Sequence, residues 1–152
     1  MTRVLLLALL AFASAIGQTR NAAAEIKPVI ERMHRAWETL GMNQVKSLYA
    51  DNNAALYFDV GSVKSTGLQA HLDDFKPIAA DWKTLKLTLN PDFQASAEGN
   101  LAWAAFTYQF EITPKRGEVM RGVARSTTLL NKRGGQWLIV HEHSSVPWVE
   151  QK

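Results

Sequence analysis

Apolar residues early in the chain recur at intervals of three and four positions. The repeating residues are Ile26, Ile30, Met33, Trp37 and Leu40. This spacing places them on one stripe of an amphipathic helix, which we expect to end at Gly41. The spacing continues from Val45 to Tyr49, and it predicts a short second helix that Asn43 would cap with its side-chain oxygen.

The spacing changes to that of a strand from Ala54 to Val60, where successive side chains point to opposite faces. Tyr57 and Asp59 would share one face of this strand. We expect a second extended segment from Ser62 to Thr66. Helical spacing then returns, and Pro77 either ends that third helix or opens another short one.

From residue 82 onward, the pattern predicts four strands separated by three turns. The turns are expected at residues 98–100, 113–117 and 134–135, each of which contains glycine. Strands of roughly 11 to 15 residues would measure about 35 to 50 Å, whereas a domain of this size is only about 35 Å across. We therefore expect an α+β fold in which a strongly curved antiparallel sheet wraps around the N-terminal helices as a cone and encloses a pocket.

Residues 4–16 form an almost uninterrupted apolar run that follows a single arginine. The run is shorter than the roughly 20 residues that a membrane-spanning helix needs, and it is typical of a secretory signal peptide. Small-residue patterns place the cleavage after Ala15 or after Ala24, and the alternative is an uncleaved anchor. We thus expect a signal peptide over residues 1–24 and one domain over residues 25–150. The protein would be secreted or periplasmic, with no stable membrane anchor after cleavage.

The composition excludes several classes of function. The 152 residues are 47% hydrophobic and 20% charged, which is the balance of an ordinary globular domain. The 17 Lys and Arg against 14 Asp and Glu leave a formal charge of +3, and no basic run could follow a phosphate backbone. Nucleic acid is therefore not an expected partner. The lack of cysteine in the sequence excludes disulfides, thiol catalysis and thiolate metal sites.

The most specific motif lies in residues 127–145, where a W-x-x-V-H-x-H-x-S pattern follows a glycine turn. Its residues are Trp137, Val140, His141, His143 and Ser145. With Leu48-Tyr49-Ala50-Asp51, Phe58-Asp59 and Gly67-Leu68, the motif resembles the NTF2-like superfamily. The similarity is to SnoaL-like domains and to the association domain of the calcium/calmodulin-dependent kinase. It covers nearly all of the chain after residue 25, and it implies the NTF2-like cone.

The same resemblance indicates which residues would lie in the pocket. The pocket histidine of the association domain corresponds to His71, and its strand carboxylate corresponds to Asp59. Its pocket arginines correspond to Tyr108, Thr128 and Ser144. The pocket of this chain would therefore be more neutral, and we do not expect it to bind anions as that relative does.

Asp59 and His71 are the candidate catalytic residues. If they face each other, the carboxylate would orient the imidazole, which would exchange a proton with a ligand. Tyr108 would then donate a hydrogen bond to a developing oxyanion. The candidate ligand-binding residues are Tyr57, Phe106, Tyr108, Thr128, Glu142 and Ser144. The alternative is that Asp59 caps a turn and His71 satisfies a local hydrogen bond.

His141 and His143 lie two positions apart on the last strand, so both would project from one face. Two histidines bind zinc when a third ligand approaches, but the sequence offers no evident third ligand. We therefore predict no metal site and no cofactor, and we place the histidines at or near a contact between subunits. Glu142 would then face the cone, unless it pairs with Arg125 on the neighbouring strand.

Two functions are compatible with these observations. The first is an exported SnoaL-like domain that binds a small, mostly apolar organic molecule in its cone, with any catalysis being proton transfer of the isomerase, cyclase or dehydratase type. The second is a non-catalytic homo-oligomerisation module with a vestigial pocket. A homodimer suits both functions, and the sequence leaves open whether the chain is an enzyme.

Overall fold

The computed structural model describes residues 22–147. This part of the chain contains three helices and seven strands, joined by turns and loops. Positions 1–21 of the predicted signal peptide lie outside the described residues. The helices are α1 (residues 22–38 within the described range), α2 (Met42–Lys46) and α3 (Leu68–Ala80). The strands are β1 (Leu56–Asp59), β2 (Ser62–Thr66), β3 (Trp82–Leu89), β4 (Gln94–Glu98), β5 (Leu101–Pro114), β6 (Met120–Arg133) and β7 (Gln136–Ser145). None of the helices in residues 22–147 combines the length and apolar character needed to cross a bilayer.

The apolar stripe of α1 is buried, as its spacing predicts. The buried residues are Ile26, Ile30, Met33 and Trp37. The helix ends at residue 38, three positions before the predicted end at Gly41, so Leu40 lies in the turn that follows and not on the stripe. Leu40 adopts a left-handed backbone conformation there, with a φ of 56°. The predicted cap of α2 is wrong. Because α2 begins at Met42, Asn43 lies inside the helix, and the N-cap is a glycine that offers no side-chain hydrogen bond.

Helix α3 follows Gly67, whose φ of 83° lies in the region that glycine tolerates best. It contains His71 in its first half and continues through Pro77 to Ala80. Pro77 therefore neither ends the helix nor opens a separate one. The helix continues with proline in its last turn, where the chain turns into β3.

The strands form one open sheet in the order β2-β1-β7-β6-β5-β3, and β4 pairs with the first part of β5. Only the β1–β7 pair is parallel among these strands. The single strand that we predicted between residues 82 and 98 is divided into β3 and β4. The break contains Asn90 and Pro91, and proline cannot donate a ladder hydrogen bond.

Side chains of the long strands alternate between two faces. The inner face contains the even-numbered positions of β5 and β6 and faces the helices, whereas the outer face contains the odd-numbered positions. The pairing of β6 with β7 shifts between Leu129 and Leu130, where Val140 is an extra residue in β7. Because of this β-bulge, Ile139 and Glu142 both point inward, while His141 and His143 point outward.

Contacts between α1 and the sheet join the two layers. The His34 ring lies 5.7 Å from the ring of Phe106. Glu25 Oε2 accepts hydrogen bonds from Trp137 Nε1 (3.1 Å) and Lys132 Nζ (3.3 Å), which fixes the early part of α1 on the β6–β7 hairpin. The predicted α+β cone, a curved sheet over N-terminal helices, is confirmed.

Candidate functional site

A cavity of about 100 Å³ lies between α1, α3 and the inner face of the sheet. Its wall is mainly apolar, and the aromatic residues in it are Trp37, Phe75, Trp82, Tyr108 and Phe110. Five side chains bring polar groups to the same wall: His34, Asp59, Tyr108, Glu142 and Ser144. Val60 and Val146 also line the cavity and are 58% and 47% exposed, so they mark its opening to solvent.

Glu142 is the buried carboxyl group of this cavity, with 9% of the residue exposed. The Tyr49 hydroxyl donates to Glu142 Oε2 over 2.5 Å and accepts a hydrogen bond from Trp37 Nε1 over 3.2 Å. The Ser144 hydroxyl donates to Glu142 Oε1 over 3.3 Å.

Burial raises the pKa of Glu142 from 4.5 to about 7, because charge is disfavoured away from water. The nearby charge of Asp59 also raises this pKa, and the hydrogen bond from Tyr49 opposes the shift. A carboxyl group with a pKa near 7 can both donate and accept a proton at neutral pH.

Asp59 and His71 both line a second space of about 10 Å³, which also borders Asp74. Within residues 22–147, no hydrogen bond joins the two candidate catalytic side chains directly. Asp59 Oδ1 instead accepts the backbone N–H of Val60 over 2.6 Å. This space is sufficient for about one water molecule that contacts both side chains, so their coupling would be indirect.

His71 is 3% exposed, and its ring stacks on Tyr57 at 4.7 Å between centroids. Burial lowers the pKa of His71, although the negative charges of Asp59 and Asp74 oppose the shift. Its Nε2 atom has no hydrogen-bond partner among the described residues. His71 borders the small space beside Asp59 and does not line the main cavity.

Three further candidates pack beside the cavity without lining it. Tyr57 and Thr128 flank Glu142 on neighbouring strands of the same row. Both are fully buried, and neither hydroxyl has a partner within residues 22–147. Phe106 is 4% exposed and stacks on Phe93 at 5.8 Å. The candidates that do line the cavity are Asp59, Tyr108, Glu142 and Ser144.

His34 is a cavity residue that the sequence reasoning missed. It is 5% exposed, and its ring lies 5.1 Å from that of Tyr108. Burial lowers the pKa of His34 to about 4, so its imidazole is neutral near pH 7. A signal was available, because His34 is four positions after Ile30 and three before Trp37. That spacing puts a polar ring within the apolar stripe of α1.

The two histidines of the β7 motif lie outside the cavity. His141 Nδ1 is 2.7 Å from the carbonyl oxygen of Leu56, and His143 is exposed. No cluster of three or more His, Asp or Glu that could hold a metal ion occurs among residues 22–147. Arg125 Nε donates to Ser145 Oγ over 3.1 Å on the outer face, so it does not pair with the inward-pointing Glu142.

A known protein family matches most of this chain. The model of the SnoaL-like domain matches residues 26–149 of the chain. No curated protein is significantly similar in sequence.

Several solved structures have the same architecture. An NTF2-like superfamily protein from Salmonella enterica serovar Typhimurium aligns with a TM-score of 0.76 at 20% identity, over 85% of this chain and 93% of that protein. A Xanthomonas campestris protein provisionally named a calcium/calmodulin-dependent protein kinase II association domain aligns with a TM-score of 0.71 at 24% identity, over 81% and 86% of the two chains. A Streptomyces avermitilis protein provisionally named a dehydratase of the NTF2-like family aligns with a TM-score of 0.74 at 16% identity, over 86% and 99%. These similarities show the fold alone.

Proposed function

Because this chain belongs to the SnoaL-like domain family, we propose that it binds a small, mostly apolar organic molecule in its cavity and transfers a proton to or from it. The observation that supports this proposal best is a buried carboxyl group, Glu142, in the wall of an otherwise mainly apolar cavity. Burial holds the pKa of Glu142 at about 7. Such a group matches the requirement of general acid–base catalysis at neutral pH.

The other polar residues have separate roles in this proposal. Glu142 exchanges the proton, and Asp59, whose charge raises the pKa of Glu142, lines the same cavity. Tyr108 and Ser144 form hydrogen bonds with polar atoms of the ligand. His71 is a positioning residue that acts through Asp59, since it borders only the small adjoining space.

The size of the cavity limits the ligand. Small-molecule sites commonly measure about 300 to 1,000 Å³, and a dry cavity of about 150 Å³ holds benzene. The present cavity of about 100 Å³ opens to solvent beside Val60 and Val146. It therefore suits a ligand with one ring, or a branched chain of similar size, that extends toward the opening.

Deuterium exchange tests the proton transfer. Cyclohexanone is incubated with the protein in deuterium oxide, and the loss of the signals of the protons next to the carbonyl is followed by NMR. We expect the wild-type protein to accelerate exchange, and Glu142→Gln to lower the rate by about a hundredfold or more. Glu118→Gln is the matched control, because it removes a carboxylate from an exposed loop. A rate unchanged in Glu142→Gln would exclude Glu142 as the proton-transfer group.

We also propose that the outer face pairs two copies of the chain. Large apolar side chains are exposed there, namely Leu101 (62%), Trp103 (41%), Val123 (47%) and Leu129 (41%). Exposed apolar patches of this kind are typical of interaction surfaces. Size-exclusion chromatography with light scattering measures the mass, and a monomer at all concentrations contradicts the dimer.

Export is a further part of the proposal. Ala22 is 5% exposed and belongs to α1, so cleavage after Ala15 keeps this contact and cleavage after Ala24 removes it. Intact mass spectrometry of the protein from the periplasm or the culture medium distinguishes the two sites. An unprocessed mass in the cytoplasm contradicts export.

A further inference from the structure

Negative charge in the wall of the cavity has no positive partner. Asp59 and Glu142 both line it, and neither takes part in an ion pair within residues 22–147. None of the described lining residues is a Lys or Arg. Burial keeps His34 neutral by lowering its pKa to about 4, and burial raises the pKa of Tyr108 well above its usual range.

The groups behind this wall do not supply a positive charge either. The adjoining space beside Asp59 contains His71 and Asp74. Burial lowers the pKa of His71, which favours its neutral form. The titratable groups of α1, α3, β1, β5 and β7 that face the cavity or Asp59 therefore leave an excess of negative charge.

Aromatic rings form one side of the same cavity. The ring centroid of Phe75 lies 4.6 Å from that of Trp37 and 5.5 Å from that of Trp82. All three residues line the cavity. The faces of such rings attract cations, most strongly where water is excluded. This aromatic wall and the two carboxyl groups thus favour the same sign of charge in a ligand.

His34 adds an unused hydrogen-bonding group. It is 5% exposed, it lines the cavity, and no described residue forms a hydrogen bond with its ring. A neutral imidazole keeps one nitrogen as an acceptor. The N–H group of an organic ammonium ion can donate to such a nitrogen, whereas an anion would meet two carboxyl groups.

We infer that the ligand is a cation, specifically an organic ammonium compound of about one ring, held by Asp59, Glu142, His34 and the aromatic wall. The inference deepens the proposed function and rests on it, because it states the charge of the molecule that occupies the same cavity. It differs from the anion binding of the association domain, whose pocket arginines correspond here to Tyr108, Thr128 and Ser144.

Three small ligands, each with one phenyl ring but with a different charge, test which charge the cavity prefers. Isothermal titration calorimetry measures benzylamine, benzyl alcohol and benzoate with the purified protein near neutral pH. We expect benzylamine to bind at least about tenfold tighter than benzyl alcohol. We expect benzoate to bind more weakly than the alcohol, because it carries the charge of the cavity wall.

Variants identify which side chains recognise the charge. Asp59→Asn and Glu142→Gln should each weaken benzylamine by about tenfold and weaken benzyl alcohol less, so that the preference for the cation falls. Glu118→Gln should change neither affinity, since that carboxylate lies in the exposed loop between β5 and β6. Circular dichroism confirms that each variant is folded.

Other results overturn the inference. Benzyl alcohol or benzoate binding as tightly as benzylamine shows that the cavity does not select a cation, and in that case small-molecule binding itself stands. If none of the three ligands binds, the inference fails as well. Deuterium exchange with cyclohexanone then decides separately whether the proposed proton transfer survives.

Discussion

The inner and outer faces of β5, β6 and β7 place polar side chains in opposite settings. On the outer face, Arg125 donates to Ser145 in contact with solvent. On the inner face, Glu142 is buried, and the neutral hydroxyls of Tyr49 and Ser144 donate hydrogen bonds to it. An exposed contact adds little to stability. Burial of an unpaired carboxyl group, by contrast, changes which protonation state the fold prefers.

This difference shows that the two faces of one strand in this fold have different environments, so the residues of each face have to be considered separately. Strand β7 presents His143 to solvent and Glu142 to the cavity, although they are neighbours in sequence. The histidines carry the recognisable motif, but the buried acid has the chemical setting suited to proton transfer. The bulge at Val140 decides which of them faces inward.

The largest expected effect is on the pH dependence of stability. Glu142 has a pKa of about 7 in the folded protein against 4.5 in the unfolded chain. The sign follows from linkage: the contribution of Glu142 to stability is fully present below pH 4.5, and it is lost as the pH rises toward 7, where the folded group ionises. The loss amounts to about 3 kcal/mol. Glu142→Gln cannot ionise and should not show this loss.

Urea denaturation between about pH 4 and about pH 8 measures the effect. The free energy of unfolding of Glu142→Gln should rise relative to the wild type across this interval, and Glu118→Gln should follow the wild type. Parallel curves for Glu142→Gln and the wild type would show that Glu142 ionises normally. In that case burial on the inner face does not shift the pKa of Glu142.

A smaller effect is expected from the outer face. Trp103 is 41% exposed and pairs across the strands with Leu129, which is equally exposed. Trp103→Arg places a charge in the proposed contact between subunits and should weaken dimerisation by about 2 kcal/mol, or about thirtyfold. Light scattering over a concentration series measures this change.

Val63→Arg is the control for this substitution. Val63 is 96% exposed on β2, which β1, β7 and β6 separate from the strand of Trp103 in the sheet. It should leave the dimer unchanged. If Trp103→Arg dimerises as strongly as Val63→Arg, the outer face is not the contact.

Much of the fold could be predicted from the sequence, because it depends on local periodicity. The stripe of α1 and the segment Ser62–Thr66 follow directly from spacing, and the motif around Trp137 indicated the superfamily. The division between β3 and β4 was missed. Asn90 and Pro91 cause the division, and the sequence pattern alone places both of them within one strand.

The candidate site was harder to predict, since it depends on which face each residue occupies. Strict alternation from the buried Trp137 would turn His141 inward and Glu142 outward, and only the bulge reverses this. His34 was overlooked for another reason: a single polar residue within an apolar stripe looks like part of the core. Its place in the cavity depends on contacts with β5, which are far away in sequence.

The smallest expected effect compares two adjacent threonines on β6. Thr128 is fully buried on the inner face with a hydroxyl that has no partner within residues 22–147, whereas Thr127 is exposed on the outer face. Replacing a buried, unpaired hydroxyl by a methyl group removes a desolvation cost at nearly constant shape. Thr128→Val should therefore raise the free energy of unfolding by about 1 kcal/mol, and Thr127→Val should change it by less than about 0.5 kcal/mol. Urea denaturation measures both variants. Destabilisation by Thr128→Val would mean that its hydroxyl binds an internal water molecule, and that the inner face satisfies its polar groups as fully as the outer face does.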